Sequence, residues 1–162
     1  MKKALIVVDY QFDFADPKGK LYVPQGEVIK NGIEDKINEY KNNGDYVVFS
    51  GDFHPMEHVS FSQWGEHCVV NSAGSEFYVD SSKVDLIIRK GTELDYDSYS
   101  AFYVAQDLKV DSGLNDWLKE REVNQLEICG LALDVCVKAT YEDAVEKGYE
   151  SVINYELSRA IN

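Results

Sequence analysis

Short apolar runs alternate along this chain with segments whose apolar residues recur at helical spacing. Continuous apolar runs are typical of parallel strands buried on both faces, and helices are the usual connections between such strands. The alternation therefore predicts an α/β fold of three layers, in which helices cover both faces of an open, mostly parallel sheet. The predicted strands are residues 4–8, 46–50, 86–89, 126–130 and 150–153.

Two of the intervening helices have recognisable C-terminal ends. Apolar residues recur after the first strand at helical spacing, and Gly44 behind them is a typical C-terminal cap. The pattern of residues 137–147 predicts a later helix, which ends at Gly148. Because the chain has 162 residues and contains no low-complexity tract, we expect residues 1–162 to form a single domain.

Charge and cysteine content narrow the choice of partners. A net charge of −13 disfavours nucleic acid and anionic membrane surfaces as partners. The first apolar run is too short for a signal peptide or a membrane span, and three cysteines do not make a disulfide framework. We therefore expect a cytoplasmic protein that binds a small molecule, with a homo-oligomer left open.

Side chains able to do chemistry follow four of the predicted strands. Asp9, Asp52 and Lys90 come at or just beyond the ends of the first three strands, and Cys136 lies in the turn after the fourth. Ligands of open α/β sheets bind beyond the carboxyl ends of the strands. We therefore expect these four side chains to lie close together at one edge of the sheet.

Cys136 lies where a strand turns into a helix. Free backbone N–H groups and the positive end of the helix dipole lower the pKa of a thiol there, which makes Cys136 a candidate nucleophile. Asp9 is then a candidate base for the thiol proton, and Lys90 a candidate partner for the thiolate charge. The alternatives are a buried, inert Cys136, an Asp9 that caps a loop and a solvated Lys90.

All three histidines lie in residues 53–84, a segment without clear periodicity that we interpret as a working loop. Asp52 and His54 are two residues apart, so extended backbone directs both to the same side. A carboxylate with imidazoles is a suitable ligand set for zinc, iron or manganese. We predict Asp52, His54 and His67 as metal ligands and His58 as a further ligand or a supporting residue; solvated histidines are the alternative.

The ordered motifs of the chain resemble those of nicotinamidases (pyrazinamidases) within the isochorismatase-like cysteine hydrolase family. They cover almost the whole chain, and the Asp-x-His motif with a later His-Cys-Val separates nicotinamidases from metal-free relatives. The matching motifs are VDYQFDF at 8–14, DFHP at 52–55, HVSF at 58–61, WGEHCV at 64–69, RKG at 89–91, YSAF at 99–102 and GLALDVCV at 130–137.

The resemblance implies an amidohydrolase that converts nicotinamide to nicotinate and ammonia, a reaction of NAD salvage. It implies that Cys136 attacks the amide carbon, that Asp9 moves the proton and that Lys90 supports the thiolate. It also implies a cis peptide between Leu131 and Ala132. The N–H groups of Ala132 and Cys136 would then form the oxyanion hole.

The resemblance further implies how the substrate ring is held. One divalent metal ion, zinc in the first place and iron or manganese otherwise, would bind the pyridine nitrogen and orient the ring. Phe14, Trp64 and Tyr99 match positions that wall the ring pocket. From their pattern alone, these three residues are more typical of an aromatic core.

The chain departs from the family pattern in three places. Gly65 and Glu66 replace prolines before His67, which could loosen this loop or bring Glu66 to the metal. Leu133 stands where threonine is common. The sequence ends at residue 162, where relatives continue through a helix and a C-terminal edge strand, so we expect that edge strand to be lacking and residues 156–162 to begin the tail.

These departures leave two alternative functions open. One is hydrolysis of another small amide by the same cysteine chemistry. The other is a metal-binding or oligomerisation role in a relative that has lost catalysis.

Overall fold

Five parallel strands form the central sheet of the computed structural model, which describes residues 2–162. The seven strands are β1 (Lys2–Val8), β2 (Tyr46–Asp52), β3 (Leu86–Lys90), β4 (Tyr103–Ala105), β5 (Val110–Asp111), β6 (Val123–Leu131) and β7 (Glu150–Arg159). The α-helices are α1 (Phe12–Ala15), α2 (Lys30–Asn42), α3 (Phe61–Trp64), α4 (Leu114–Glu120) and α5 (Lys138–Glu146). Short 3₁₀ turns cover Gly26–Ile29 and Ala73–Ser75, and a π-helical turn covers Leu133–Val137.

The strand order β3-β2-β1-β6-β7 places β1 in the middle of the sheet. Every pairing within this sheet is parallel, which confirms the predicted fold class. The chain first builds outward from β1 through β2 to β3 and then returns to the other side of β1 with β6. Such a reversal opens a crevice beyond the carboxyl ends of the two strands that flank it.

Alternate residues of β1 face opposite layers, as expected for a strand buried on both sides. Leu5 and Val7 pack in one core cluster with the apolar face of α2. Ala4, Ile6 and Val8 pack in the other cluster with α4 and α5. The prediction of helices on both faces of the sheet is therefore confirmed.

The last strand is longer than its sequence pattern predicts. β7 runs from Glu150 to Arg159, whereas the apolar run predicted only residues 150–153. Its pairing with β6 shifts register after Ile153 and resumes at Ser158, so residues 154–157 bulge out of the ladder. The bulge interrupts the alternation, and residues 156–159, expected to begin a tail, instead complete β7.

Two smaller differences also affect the site. Lys90 is the last residue of β3 and not the first residue after it, because its backbone still pairs with Asp52 of β2. The antiparallel pair of β4 and β5 was not predicted and follows the segment that carries Tyr99. Within residues 2–162, none of the helices has the length and apolarity needed to cross a membrane.

Candidate active site

Lys90 is the centre of a buried cluster at the carboxyl ends of the strands. Its ammonium group lies 2.8 Å from Asp9 Oδ2, 2.7 Å from Asp52 Oδ1 and 3.8 Å from Cys136 Sγ. It also donates a hydrogen bond of 2.9 Å to the Ser98 carbonyl. The structure thus brings together the three residues that the sequence analysis grouped as nucleophile, base and electrostatic partner.

Asp9 owes its place to a sharp turn at the end of β1. Its φ of 49° is unusual for a residue with a side chain, and its N–H donates to the Ser50 carbonyl at 2.9 Å. The Ser50 hydroxyl donates to Asp9 Oδ1 at 2.8 Å. β2 therefore fixes both the backbone and the carboxylate of Asp9, leaving Oδ2 to face Lys90.

Charges in this cluster are set mainly by burial. Burial raises the pKa of the Cys136 thiol well above its ordinary value, and the nearby charge of Lys90 opposes it only in part. Burial also raises the pKa of Asp9, against the charge of Lys90. Burial disfavours the charged form of Lys90, but Asp52 and Asp9 outweigh that effect and raise its pKa well above the ordinary value.

The direction of this pKa shift is opposite to the one that the turn alone predicts for Cys136. The residue is only 7% exposed, and the carboxylates of Asp9 and Asp52 add to the effect of burial. A protonated thiol at rest needs a partner that removes its proton during reaction. Asp9 is the candidate for that partner by position, because it contacts both Lys90 and Cys136.

The turn that carries Cys136 differs from a simple helix start. The peptide between Leu131 and Ala132 is cis, as the resemblance implied. A π-helical turn then contains Cys136, and the Ala132 carbonyl accepts hydrogen bonds from the N–H groups of Val135 and Val137, each at 3.1 Å. The predicted oxyanion donors are thus the N–H of Ala132, which precedes this turn, and the N–H of Cys136 within it.

Asp52, His54 and His67 form the second half of the site. Asp52 Oδ2 lies 3.5 Å from His54 Nε2 and 3.8 Å from His67 Nε2. His54 Nδ1 bonds the Gly91 carbonyl at 2.7 Å, and His67 Nδ1 bonds the Gly65 carbonyl at 2.8 Å. Because a carbonyl only accepts, Nδ1 carries a hydrogen in both rings, which leaves Nε2, the nitrogen that faces Asp52, as the ring atom able to bind a metal ion.

This arrangement fits a divalent metal ion. His54 Nε2 is buried and lacks a hydrogen-bond partner in the described residues. Burial alone would raise the pKa of Asp52, but Lys90 and the two histidines outweigh it, so its pKa lies well below the ordinary value. One carboxylate and two imidazoles whose Nε2 atoms converge on it are a suitable ligand set for a transition metal.

The contacts of His58 favour the supporting place among its two predicted alternatives. Its Nε2 donates to the Tyr96 carbonyl at 2.9 Å, and its Nδ1 lies 2.8 Å from the Ser60 hydroxyl. Its ring stacks on His54, with centroids 4.0 Å apart. Both ring nitrogens of His58 thus have protein partners, and its stacked ring supports the plane of His54.

Glu66 does not reach the metal ligands in this structure. Its carboxylate lies 2.8 Å from Lys20 Nζ, and both side chains are about half exposed. Gly65 adopts φ 83° and presents its carbonyl to His67. The Gly65–Glu66 departure from the family pattern therefore leaves His67 held in place.

A small pocket joins the two halves of the site. The three predicted ring-pocket residues Phe14, Trp64 and Tyr99 all line it, together with Leu131 and Ala132. Other lining residues are Asp9, Asp52, His67 and Cys136, and five that the sequence analysis did not single out: Leu21, Val23, Asp97, Val135 and Ile161.

Ile161 shows why these residues were missed. It lies beyond β7, and its N–H donates to Asp134 Oδ1 at 2.9 Å, next to the Cys136 turn. No periodicity marks a single residue that reaches a pocket from the far end of the chain. Ser158, three residues earlier in the chain, is also buried, although its polar side chain predicts an exposed position.

The fold agrees with comparisons to known proteins. The family model described as the isochorismatase domain matches residues 3–157. The chain belongs to the isochorismatase family. Among relatives of this family, the nicotinamidase of Escherichia coli is 32% identical over 181 residues, covering 99% of this chain and 84% of that protein.

Solved structures of the isochorismatase fold match over the whole chain. The pyrazinamidase of Pyrococcus horikoshii in complex with zinc has a TM-score of 0.91 and 37% identity, covering 100% of this chain and 88% of that one. The protein PnC1 of L. infantum in complex with nicotinate has a TM-score of 0.93 and 34% identity, covering 99% of this chain and 82% of that one.

Proposed function

We propose that this isochorismatase-family chain is a nicotinamidase, which hydrolyses nicotinamide to nicotinate and ammonia and thereby serves NAD salvage. The observation that carries the proposal is one pocket shared by Cys136, a base and a set of metal ligands. The E. coli relative is named a nicotinamidase, and the L. infantum structure holds nicotinate, the expected product.

The first half of the reaction acylates Cys136. Its sulfur attacks the carboxamide carbon while Asp9 takes the thiol proton and Lys90 balances the charge that develops. The oxygen of the tetrahedral intermediate accepts hydrogen bonds from the N–H groups of Ala132 and Cys136. The carbon–nitrogen bond then breaks, Asp9 returns the proton to the leaving nitrogen, and ammonia departs from a Cys136 thioester.

The second half releases the acid. A water molecule attacks the thioester carbon and gives a proton to Asp9, and the carbon–sulfur bond breaks. The Cys136 sulfur recovers a proton from Asp9, and nicotinate leaves the pocket. Asp9 thus acts as base and then as acid in each half, which suits a carboxyl group whose pKa is raised by burial.

Asp52, His54 and His67 would hold one divalent ion beside this cluster, and zinc is our proposal because the P. horikoshii structure contains it. When bound, the ion supplies a coordination site for the pyridine nitrogen. Phe14, Trp64 and Tyr99 then wall the ring, so that its carboxamide faces Cys136. These ring contacts fix orientation and do not take part in proton transfer.

Pyrazinamide is a second candidate substrate, because the P. horikoshii relative is named a pyrazinamidase. Its ring also carries a nitrogen and a carboxamide, so the same pocket and the same chemistry would serve. A comparison of kcat/KM for the two amides measures which ring the pocket prefers.

Ammonia release from nicotinamide tests the proposal directly. The purified protein is assayed as prepared, after chelation, and after chelation followed by zinc, with Cys136→Ala as the control. We expect turnover that falls on chelation, returns with zinc and is absent in the control. A folded wild-type protein that releases no ammonia from nicotinamide under all three conditions would contradict the proposal.

A further inference from the structure

Gln11 is a fully buried amide that the sequence analysis and the mechanism leave without a role. Its Oε1 accepts a hydrogen bond from the Asp52 N–H at 2.9 Å, and its Nε2 donates to the Asp52 carbonyl at 2.8 Å. A second donation from Nε2 reaches the Ser75 carbonyl at 2.9 Å. The side chain therefore bonds both the N–H and the carbonyl of Asp52, and so takes the part of the backbone of a neighbouring strand.

The strand register explains why Asp52 needs this support. β2 pairs with β3 as far as Asp52 and Lys90, but its pairing with β1 ends at Val8 and Ser50. β1 ends there because Asp9 turns the chain to aim its carboxylate into the site. The Gln11 amide fills the place that β1 has left, so that both the N–H and the carbonyl of Asp52 keep hydrogen-bond partners.

Asp13 holds the other metal-ligand segment in a similar way. It is only 4% exposed, and its Oδ2 accepts from the Cys68 N–H at 2.8 Å, directly after His67. Its Oδ1 accepts from the Lys20 N–H at 3.1 Å. The Cys68 carbonyl in turn accepts from the His54 N–H at 2.9 Å, which links the two histidine segments.

We propose that Gln11 and Asp13 are positioning residues for the metal ligands: Gln11 holds the backbone of Asp52, and Asp13 holds the backbone of Cys68, the residue after His67. The inference rests on the metal site proposed above and assigns to it two residues that touch neither the ion nor the substrate. Both belong to the segment that begins at Asp9, so residues 9, 11 and 13 set the base and both ligand segments together. Supporting residues around metal ligands often change metal affinity by about 10–100-fold when they are replaced.

Isosteric substitutions test this assignment. Gln11→Glu keeps the shape but turns the donating amide into an oxygen that faces the Asp52 and Ser75 carbonyls. Asp13→Asn replaces one accepting oxygen with an amide group that faces a backbone N–H. Tyr40→Phe is the matched control, because it removes a 2.8 Å hydrogen bond from a buried side chain to Glu127, a residue outside the site.

The measurement is zinc affinity of the metal-stripped proteins by competition with a chromophoric chelator, with cobalt absorption spectra as a second readout. We expect about 10–100-fold weaker zinc binding and an altered cobalt spectrum for Gln11→Glu and Asp13→Asn. Tyr40→Phe should lower Tm but keep zinc affinity within about twofold of wild type. Circular dichroism establishes that each protein is folded.

The outcomes separate this inference from the proposed function. If folded Gln11→Glu and Asp13→Asn keep wild-type zinc affinity and an unchanged cobalt spectrum, the positioning role is overturned. The proposed metal site and function would be unaffected by that result. A wild-type protein that binds neither zinc nor cobalt would overturn the metal site and this inference with it. If Gln11→Glu does not fold, Asp13→Asn decides the question by the same two readouts.

Discussion

The two halves of the site are built in different ways. Asp9, Lys90 and Cys136 come from three strand ends, and the sheet register sets their spacing. In the metal half only Asp52 lies on a strand, and His54 and His67 come from a loop whose ring orientations depend on the Gly91 and Gly65 carbonyls. The predicted reacting groups are therefore positioned by the sheet, whereas the two histidine rings depend on local hydrogen bonds for their orientation.

The largest expected effect is on kcat, and it should leave zinc binding unchanged. Cys136→Ala should lower kcat for nicotinamide by at least about 1000-fold, because no other nucleophile in the cluster can form the thioester. Zinc affinity should stay at the wild-type value, since Cys136 contacts Lys90 and not the histidines. Loss of bound zinc in this variant would show that the halves are not independent.

Substitution of a metal ligand should affect zinc binding first and kcat less. His54→Ala is expected to weaken zinc binding by more than about 100-fold, because the ion loses one of three protein ligands. KM for nicotinamide should rise more than kcat falls, measured at a fixed zinc concentration. His58→Phe is the matched comparison, since it keeps a ring stacked on His54 and should hold zinc within about fivefold of wild type.

His58 as a ligand would give a different result. Zinc affinity in His58→Phe would then fall as far as in His54→Ala. Such an outcome would place His58 among the ligands despite its bonds to Ser60 and Tyr96.

The pH dependence of thiol alkylation tests the rigid half alone. Because the pKa of Cys136 is raised above its ordinary value of 9.0, the thiolate fraction should rise about tenfold per pH unit from pH 7 to 9. The rate of iodoacetamide modification at Cys136, followed by mass spectrometry, should rise with it. A plateau below pH 9 would mean that the turn and Lys90 lower the pKa after all.

The smallest effect concerns the pocket wall beyond β7. Asp134→Ala removes the carboxylate that accepts from the N–H groups of Ile161 and Asn162 at 2.9 and 3.2 Å. Asp134 is exposed, so the loss is worth about 1 kcal/mol or less. KM should rise by about two- to fivefold with kcat unchanged, and an unchanged KM would show that Ile161 is held by its own packing.

What the sequence predicted depends on how local each signal is. Asp9 and Cys136 could be placed together because strand ends of a parallel sheet meet at one edge. Asp52 and His54 could be paired because two-residue spacing on extended backbone has one geometric meaning. The raised pKa of Cys136 could not be predicted, because it depends on how deeply the whole fold buries the turn.

Features that need long-range contacts stayed out of reach. Ile161 lies beyond the end of β7, where no strand periodicity applies to it. Gln11 has the pattern of an ordinary polar residue until its partners at Asp52 and Ser75 are known. A buried amide or carboxylate gives no sign in the sequence of which backbone it will support. The supporting residues of a site are therefore harder to predict than its reacting groups.

Gly130 carries a consequence for mutational tolerance. It lies on β6 opposite Val8, with φ 118°, and a methyl group there would collide with the Val8 carbonyl. A side chain at this position would push β6 away from β1 and so widen the gap between Cys136 and Asp9. A genetic screen for loss of activity should thus recover changes at Gly130, which touches no substrate and carries no reactive group.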